Sequence, residues 1–397
     1  MTMKYQRGLV ALSADPLTFG HIDLVRKAAA FCEQVIVLIA INDVKRGSYL
    51  FSLNERVAMT KRALREIGLR NVRVIGSEGL LIDVYLKEGC DALIRGIRNA
   101  DDRIYEETQM TLHTLVLPEL KGHIEFIDSE EHLRLLSSSM VKAFASHHLD
   151  VSAFVPLFVK QALEERLLHQ YKIAVTGAIA VGKSFVAKQL VEHIREKGHL
   201  AHHLNMDQLI REVYVEDSAG AQKMREALAT LLGDDVLTEQ RHDVNRKVLA
   251  QRLFATNCPK ETREQVERLT SPHVMRKYRE FLNGKEGLIV LEWAQLAEMC
   301  VSHWTNHHVV VVDSPDKDAF AAMRGIDEKR REELSKIQLS ALEKVETLRK
   351  VMQRDQQGTV LCYQNHLSST AEETQNDLVL LVDHVLHLFP ALSQESS

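Results

Sequence analysis

The run Val35-Ile-Val-Leu-Ile-Ala-Ile41 carries no polar side chain at any position. Successive side chains of a strand point to opposite faces, so a strand of this composition must be covered on both sides. Two covered faces are the mark of a parallel sheet with helices above and below it, and a run this short does not span a bilayer. Around it, short β-rich runs alternate with longer amphipathic stretches. Gly8 to Leu12, Val72 to Ile75, Ala92 to Ile94 and Ile124 to Ile127 read as further strands. Helices are expected from about Ile22 to Cys32 and after Ser52, which stands with Glu55 in capping-box spacing. The alternation predicts an α/β fold built on a parallel sheet.

The pattern then restarts. Pro156 opens an amphipathic helical segment, Leu157 to Leu168, after which Lys172 to Thr176 reads as a strand, followed by a loop and a helix from Lys183. Leu200 to Leu204, Leu288 to Leu291 and Val309 to Val312 are later strands, separated by charged helical stretches near Ala221 to Leu232 and Asn245 to Phe254. A chain of 397 residues has room for two or three domains of ordinary size. The boundary falls near Leu168 to Tyr171, which gives two α/β domains, 1–168 and 169–397. No Gly/Ser-rich linker separates them, so the junction is expected to be helical.

Composition excludes several functions. Fifty basic against 55 acidic residues give a net charge of -5, with no general attraction for nucleic acid or an anionic membrane. Any bound phosphate must be held by a local site. Cysteines 32, 90, 258, 300 and 362 include no C-x-x-C pair, which argues against a disulfide framework or a cysteine zinc site. Met1 to Arg7 has no apolar core of secretory length, so a soluble cytoplasmic protein is expected. His199, His202 and His203 lie beside a strand without an accompanying carboxylate or cysteine set. They read as surface and core histidines, as do His147-His148 and His307-His308.

Gly177-Ala178-Ile179-Ala180-Val181-Gly182-Lys183-Ser184 fits G-x-x-x-x-G-K-[ST] between a strand and a helix. Loop N–H groups and the helix N-terminus suit a β-phosphate. Lys183 supplies a point charge to the β- and γ-phosphates, and the Ser184 hydroxyl suits Mg2+. Asp207 follows the next strand, at the end where open α/β sheets meet their ligands. There it could accept a proton from a hydroxyl attacking the γ-phosphate, or cap a helix beginning near Leu209.

These segments resemble dephospho-coenzyme A kinase. The family loop G-G-I-G-S-G-K-S stands as Gly177 to Ser184, and D-A-D-x-I as Asn205-Met206-Asp207-Gln208-Leu209. The family's arginine-rich stretch before F-A is similar to Asn245 through Arg252 to Phe254-Ala255. Its L-x-H-P is similar to Leu269-Thr-Ser271-Pro272, and its L-L-x-E to Gln295-Leu296-Ala-Glu298. The likeness runs from about 171 to 385 and weakens after Ile337. It implies Lys183 and Asp207 as catalytic groups, ATP on residues 177–184, and lid arginines among Arg324, Arg330 and Arg331. Ala178, Ala180, Asn205 and Ser271 depart from the family pattern.

In the first half, Asp15-Pro-Leu-Thr18-Phe-Gly20-His21 follows a strand and opens a helix. Gly20 permits close approach of a nucleotide, and His21 at the helix start could donate to a phosphate as charge develops. A helix N-terminus with a half-buried histidine fits the same residues. The stretch resembles the T-x-G-H signature of nucleotidyltransferases, and in detail the loop G-[ST]-F-D-P-[IL]-T-x-G-H of phosphopantetheine adenylyltransferase. Lys45-Arg46, Phe51 to Arg56, Glu78 to Leu81, Arg95-Gly-Ile-Arg98, Tyr105-Glu106 and Ser137-Ser-Ser-Met-Val-Lys142 are similar to that family's later motifs, in order. Leu12 and Ala14 depart from it. The resemblance implies that His21 and Lys45 stabilise a pentavalent phosphate and that Arg95 holds phosphate. Ser13, Thr18, Gly20, Arg98, Glu106 and Ser137, Ser138 and Ser139 would surround ATP. The phosphate nucleophile is already ionised near neutrality, so positioning and charge stabilisation suffice.

Together the two resemblances imply consecutive steps. ATP and 4′-phosphopantetheine would give dephospho-CoA and pyrophosphate, and a second ATP would phosphorylate the ribose 3′-hydroxyl to give CoA. Mg2+ would accompany ATP, with no redox or organic cofactor. The transferase resemblance also implies a homo-oligomer, of hexameric form in that family. Two other readings fit less of the pattern. One is a nicotinamide mononucleotide adenylyltransferase fused to a ribosyl-nicotinamide kinase, although Thr18 stands where those transferases carry histidine. The other is a nucleotide- or CoA-binding protein with one decayed site, motivated by Leu12, Ala14, Asn205 and Ser271.

Overall fold

The computed structural model describes residues 3–41, 46–253, 258–323, 325, 338–367 and 370–394. Lys45, Arg324, Arg330, Arg331, Phe254 and Ala255 lie outside the described residues. The chain divides into two compact units, Met1–Leu167 and Leu168–Ser397.

The first unit is a parallel sheet of β1 (Tyr5–Leu12), β2 (Cys32–Ala40), β3 (Val72–Ser77), β4 (Ala92–Ile97) and β5 (Ile124–Asp128), in the order β3-β2-β1-β4-β5. Its helices are α1 (Phe19–Ala29), α2 (Leu53–Glu66), α3 (Leu81–Lys87), α4 (Ala100–Val116), α5 (Ser138–Ser146) and α6 (Leu157–Leu168). The two-residue period of β2 divides its side chains between two cores. Val35, Val37 and Ile39 pack on one face with Val10, Leu12 and Val25, while Ile36 and Leu38 pack on the other with Leu9 and Leu93. Leu12 therefore points into the core.

The expected helix from Ile22 to Cys32 is displaced. Thr18 and His21 form a capping box that starts α1 at Phe19, and Cys32 opens β2 opposite Tyr5. Ser52 and Glu55 cap α2 reciprocally, through N–H contacts of 3.3 and 2.8 Å.

The second unit is also fully parallel. It comprises β6 (Gln170–Gly177), β7 (Ala201–Asn205), β8 (Gly287–Glu292), β9 (His308–Asp313) and β10 (Thr359–Gln364), in the order β10-β9-β6-β8-β7. Every residue of β6 is buried. Helix α7 (Lys183–Glu196) follows the loop after β6, and α8 (Met206–Val215) follows β7. Strand β10 has no counterpart in the sequence reading. In each sheet the first strand has later strands on both sides, so the strand order reverses there and leaves a crevice at the carboxyl ends.

One buried pair braces the segment that follows β8 in the second unit. Lys344 is fully buried and donates to the Ala294 carbonyl at 2.7 Å and to Glu298. Glu298 also accepts the Leu339 N–H at 2.8 Å. Burial pushes the Lys344 ammonium below its ordinary pKa, and Glu298 opposes that shift. Removing the carboxylate alone leaves a buried cation without its counter-charge. Glu298→Leu should cost the second unit about 3–5 kcal/mol in denaturant unfolding. Both tryptophans, Trp293 and Trp304, lie in this unit and report it. Adding Lys344→Met should recover most of the loss, whereas a single-variant loss below about 1 kcal/mol would contradict the assignment.

Candidate functional sites

In the first unit the loop after β1 is tied down from three directions. Asp15 is almost fully buried; its carboxylate accepts the N–H groups of Leu50 at 3.1 Å and Phe51 at 2.9 Å and pairs with Lys142 at 2.7 Å. Arg56, buried on α2, donates to the carbonyls of Ser13 at 2.6 Å and Ala40 at 3.1 Å. Ser138 donates to the Pro16 carbonyl at 2.8 Å. Segments far apart in sequence, around 51–56 and 137–142, thus converge on residues 13–16.

His21 lies in the first turn of α1. The Thr18 N–H donates to its Nδ1 at 3.0 Å, and Thr18 Oγ1 is also 3.0 Å away. An Nδ1 that accepts leaves the neutral ring's proton on Nε2, so Nε2–H is the group the ring presents as a donor. A Cβ on Gly20 would make only an ordinary 3.6 Å contact with Thr18. The protein itself therefore does not require glycine at this position.

At the end of β4, Arg95 forms a two-pronged pair with Glu106 of α4 at 2.6 and 2.9 Å and also donates to the Ala11 carbonyl at 3.2 Å. Arg98 pairs with Asp102 at 2.6 and 2.9 Å and makes no described contact with Glu106. Each guanidinium is thus partly neutralised and oriented by a carboxylate. Ser137 caps α5 through the Met140 N–H at 3.2 Å, and Ser139 is exposed.

The phosphate-loop residues of the second unit have conformations that explain their identities. Gly177 has φ +155°, and a Cβ there would lie 2.3 Å from the Val312 carbonyl oxygen. Gly182 has φ +87°, and its Cβ would lie 2.1 Å from Asn365 Nδ2, which itself donates to the Val181 carbonyl at 3.0 Å. Ala180 sits at φ 61°, a left-handed conformation that alanine adopts at a cost. The other loop residues, Ala178, Ile179 and Val181, fill positions with no glycine requirement. Lys183 begins α7 and donates to the Ala178 carbonyl at 2.6 Å.

Ser184 donates to Glu292 Oε1 at 2.5 Å. The other carboxylate oxygen, Oε2, lies 2.9 Å from both His203 Nε2 and Asn205 Nδ2. Burial pushes the Glu292 carboxyl up, but its hydrogen bonds from His203, Ser184 and Asn205 outweigh this and hold it below the ordinary glutamate value. Glu292 closes β8 and was not read as a site residue. The available signal was an acid at the carboxyl end of an apolar run, Leu288 to Leu291. His203, set aside as a surface or core histidine, is tied to that acid.

The capping alternative for Asp207 is corrected by the structure. Asn205 caps α8 through the Gln208 N–H at 2.9 Å, because the helix begins three residues earlier than Leu209. Asp207 reaches solvent in the first turn of α8. Crowding by protein raises its carboxyl above the ordinary value; Lys183 opposes this, Glu292 adds to it and Arg211 opposes it. Lys183 and Glu292 are therefore both close enough to act on the charge of Asp207.

Two parallel sheets, each with a helix-opening loop at its strand order reversal, define a chain built to handle nucleotides or other phosphates twice. Comparison with known proteins narrows the class. The cytidylyltransferase-like family model matches residues 13–144, and the dephospho-CoA kinase model matches residues 171–359. A phosphopantetheine adenylyltransferase from Limosilactobacillus reuteri is 36% identical over 163 residues, covering 41% of this chain and 91% of the relative. One from Cutibacterium acnes is 37% identical over 164 residues, covering 40% and 96%. A solved structure from Thermus thermophilus, TT1252, covers 56% of this chain and 98% of its own at 24% identity and TM-score 0.40, a likeness that adds nothing to the assignment. The chain belongs to the phosphopantetheine adenylyltransferase family through its N-terminal part and carries a dephospho-CoA kinase domain in its C-terminal part. It is a fused nucleotidyltransferase and kinase of coenzyme A biosynthesis. No helix among the described residues is long and apolar enough to cross a membrane.

The loop geometry predicts unequal responses to substitution. Gly182→Ala places a Cβ on Asn365 in a left-handed backbone and should destabilise the second unit by about 2 kcal/mol. Ala180→Gly should change stability by less than about 1 kcal/mol, since relief of strain is offset by added freedom in the unfolded chain. Equal effects in denaturant unfolding would contradict this reading of the loop.

Proposed function

We propose that residues 1–168 transfer an adenylyl group from ATP to 4′-phosphopantetheine, giving dephospho-CoA and pyrophosphate. Residues 169–397 then phosphorylate the ribose 3′-hydroxyl of dephospho-CoA from a second ATP, giving CoA and ADP. The observation that carries this reading is a dephospho-CoA kinase match directly downstream of a region 36% identical to phosphopantetheine adenylyltransferases. The two families act in sequence on one molecule, and each match lies on its own compact unit.

In the transferase step the phosphate of 4′-phosphopantetheine attacks the α-phosphorus of ATP and pyrophosphate leaves. Both groups are anionic, so the protein must align them and spread the charge that accumulates. The His21 Nε2–H, the N-terminus of α1 and Arg95 are the donors suited to this, with Lys45 beside them by family resemblance. Ser13, Thr18, Gly20, Arg98, Glu106 and Ser137 to Ser139 would complete the ATP site. The Asp15, Arg56 and Ser138 contacts keep the loop rigid.

In the kinase step Asp207 takes the proton of the attacking hydroxyl, while Lys183 and the loop N–H groups hold the β- and γ-phosphates. The Ser184 hydroxyl and Glu292 carboxylate are hard oxygen donors of the kind Mg2+ takes, together with phosphate and water oxygens. Mg2+, when bound there, would offset charge on the transferring phosphoryl group. Leu12 buried in the core and Asn205 serving as both cap and donor remove two reasons for reading either site as decayed.

Lys183→Ala should lower the kinase rate by about 10²–10³-fold and leave adenylyl transfer unchanged; His21→Ala should do the reverse. Separate assays with dephospho-CoA and with 4′-phosphopantetheine read the two rates. Loss of both activities in either variant would contradict the division of sites. A base is active only when ionised, and Asp207 is held above the ordinary 3.8. CoA formation should therefore decline, as pH falls, at a higher pH than an unperturbed aspartate would impose, and Asp207→Asn should abolish that limb. An unchanged limb in the variant would assign it to another group.

A further inference from the structure

We propose that His203 is a positioning residue of the kinase site. It fixes the Glu292 carboxylate so that the opposite oxygen holds the Ser184 hydroxyl; this proposal rests on the kinase reading above. The geometry is a relay across three elements. His203 Nε2 on β7 meets Glu292 Oε2 at 2.9 Å, and Glu292 Oε1 on β8 accepts from Ser184 Oγ of α7 at 2.5 Å. Glu292 is only 5% exposed, so its orientation is set by protein donors rather than by water. Asn205 shares Oε2 at 2.9 Å, two residues along β7 on the same face.

This arrangement explains why an asparagine stands at 205. An aspartate there could still cap α8, but it would set a second carboxylate oxygen against Glu292 in place of a donor. His203 and Asn205 thus form a matched pair of donors around one buried acid. Among the described residues, the hydrogen bond of the His203 ring is to Glu292. Its loss should therefore act on the hydroxyl and carboxylate suited to Mg2+ and not on the chemical step. Groups that orient a metal's ligands from outside typically change metal affinity about 10- to 100-fold when removed.

The test uses the full chain and titrates Mg2+ in the kinase assay, at fixed ATP and dephospho-CoA, with His203→Leu and His203→Gln. His203→Leu should raise the half-saturating Mg2+ concentration about 10-fold or more, with kcat at saturating Mg2+ within about threefold of the parent. His203→Gln keeps a donor and should restore most of the affinity. Trp293 follows Glu292 directly, so its fluorescence, with Mg2+ titrated against a non-hydrolysable ATP analogue, should show the same displacement without turnover. Retained adenylyl transfer and an unchanged unfolding midpoint show that the variants are folded.

If the leucine and glutamine variants behave alike, or if kcat falls while half-saturating Mg2+ stays fixed, His203 does not position the carboxylate. If His203→Leu fails to fold while His203→Gln needs as much Mg2+ as a folded Glu292→Gln, the proposal also fails. A parent chain that forms no CoA from dephospho-CoA would overturn the kinase reading and this proposal with it.

Discussion

Strands covered on both faces leave their ends as the place for polar chemistry. Val35 to Ile39 in the first unit and all of β6 in the second have no solvent face. Apolar side chains fill both cores, and hydrogen-bonding groups that do not belong to the ladders gather where strands give way to loops. In a parallel sheet the carboxyl ends all lie on one side, so loops distant in sequence meet there. The reversal of strand order beside β1 and β6 opens the crevice in which they meet.

Each crevice is organised by a buried carboxylate that touches loops rather than standing free. Asp15 receives two backbone N–H groups and Lys142, and so fixes the segment leading to His21. Glu292 receives Ser184, His203 and Asn205, and so fixes the start of α7. A buried carboxylate without donors would be costly, which makes the surrounding donors as necessary as the acid. The same logic limits the arginines. Arg95 and Arg98 are each paired with a carboxylate on α4, which directs their charge and keeps it local. A chain of net charge -5 can therefore handle polyanionic substrates without a broadly basic surface.

Most strands were legible because short, continuous apolar runs must be covered on both faces, and the two phosphate loops because their residues are contiguous. The start of α1 was missed by three residues because Thr18 and His21 cap each other, a pairing that histidine makes rarely enough to escape capping rules. Strand β10 was missed because an edge strand with a half-exposed, mixed sequence has little periodicity to read. Glu292 and His203 were invisible for a different reason. Their contact spans 89 residues, and the one local cue, an acid ending the apolar run Leu288 to Leu291, does not name its partners. Asn365, which holds the Val181 carbonyl beside Gly182, depends on a separation of 184 residues in the same way. Long-range pairing is the information that a single sequence does not carry.

The central claim, two consecutive reactions on one chain, is tested most directly by product stoichiometry. Purified protein is supplied with 4′-phosphopantetheine, Mg2+ and excess ATP, and the products are quantified over time. CoA, pyrophosphate and ADP formed in equal final amounts, with dephospho-CoA only transient, is the expected result. Dephospho-CoA accumulating without CoA would contradict the kinase half, and formation of neither dephospho-CoA nor CoA would contradict the transferase half.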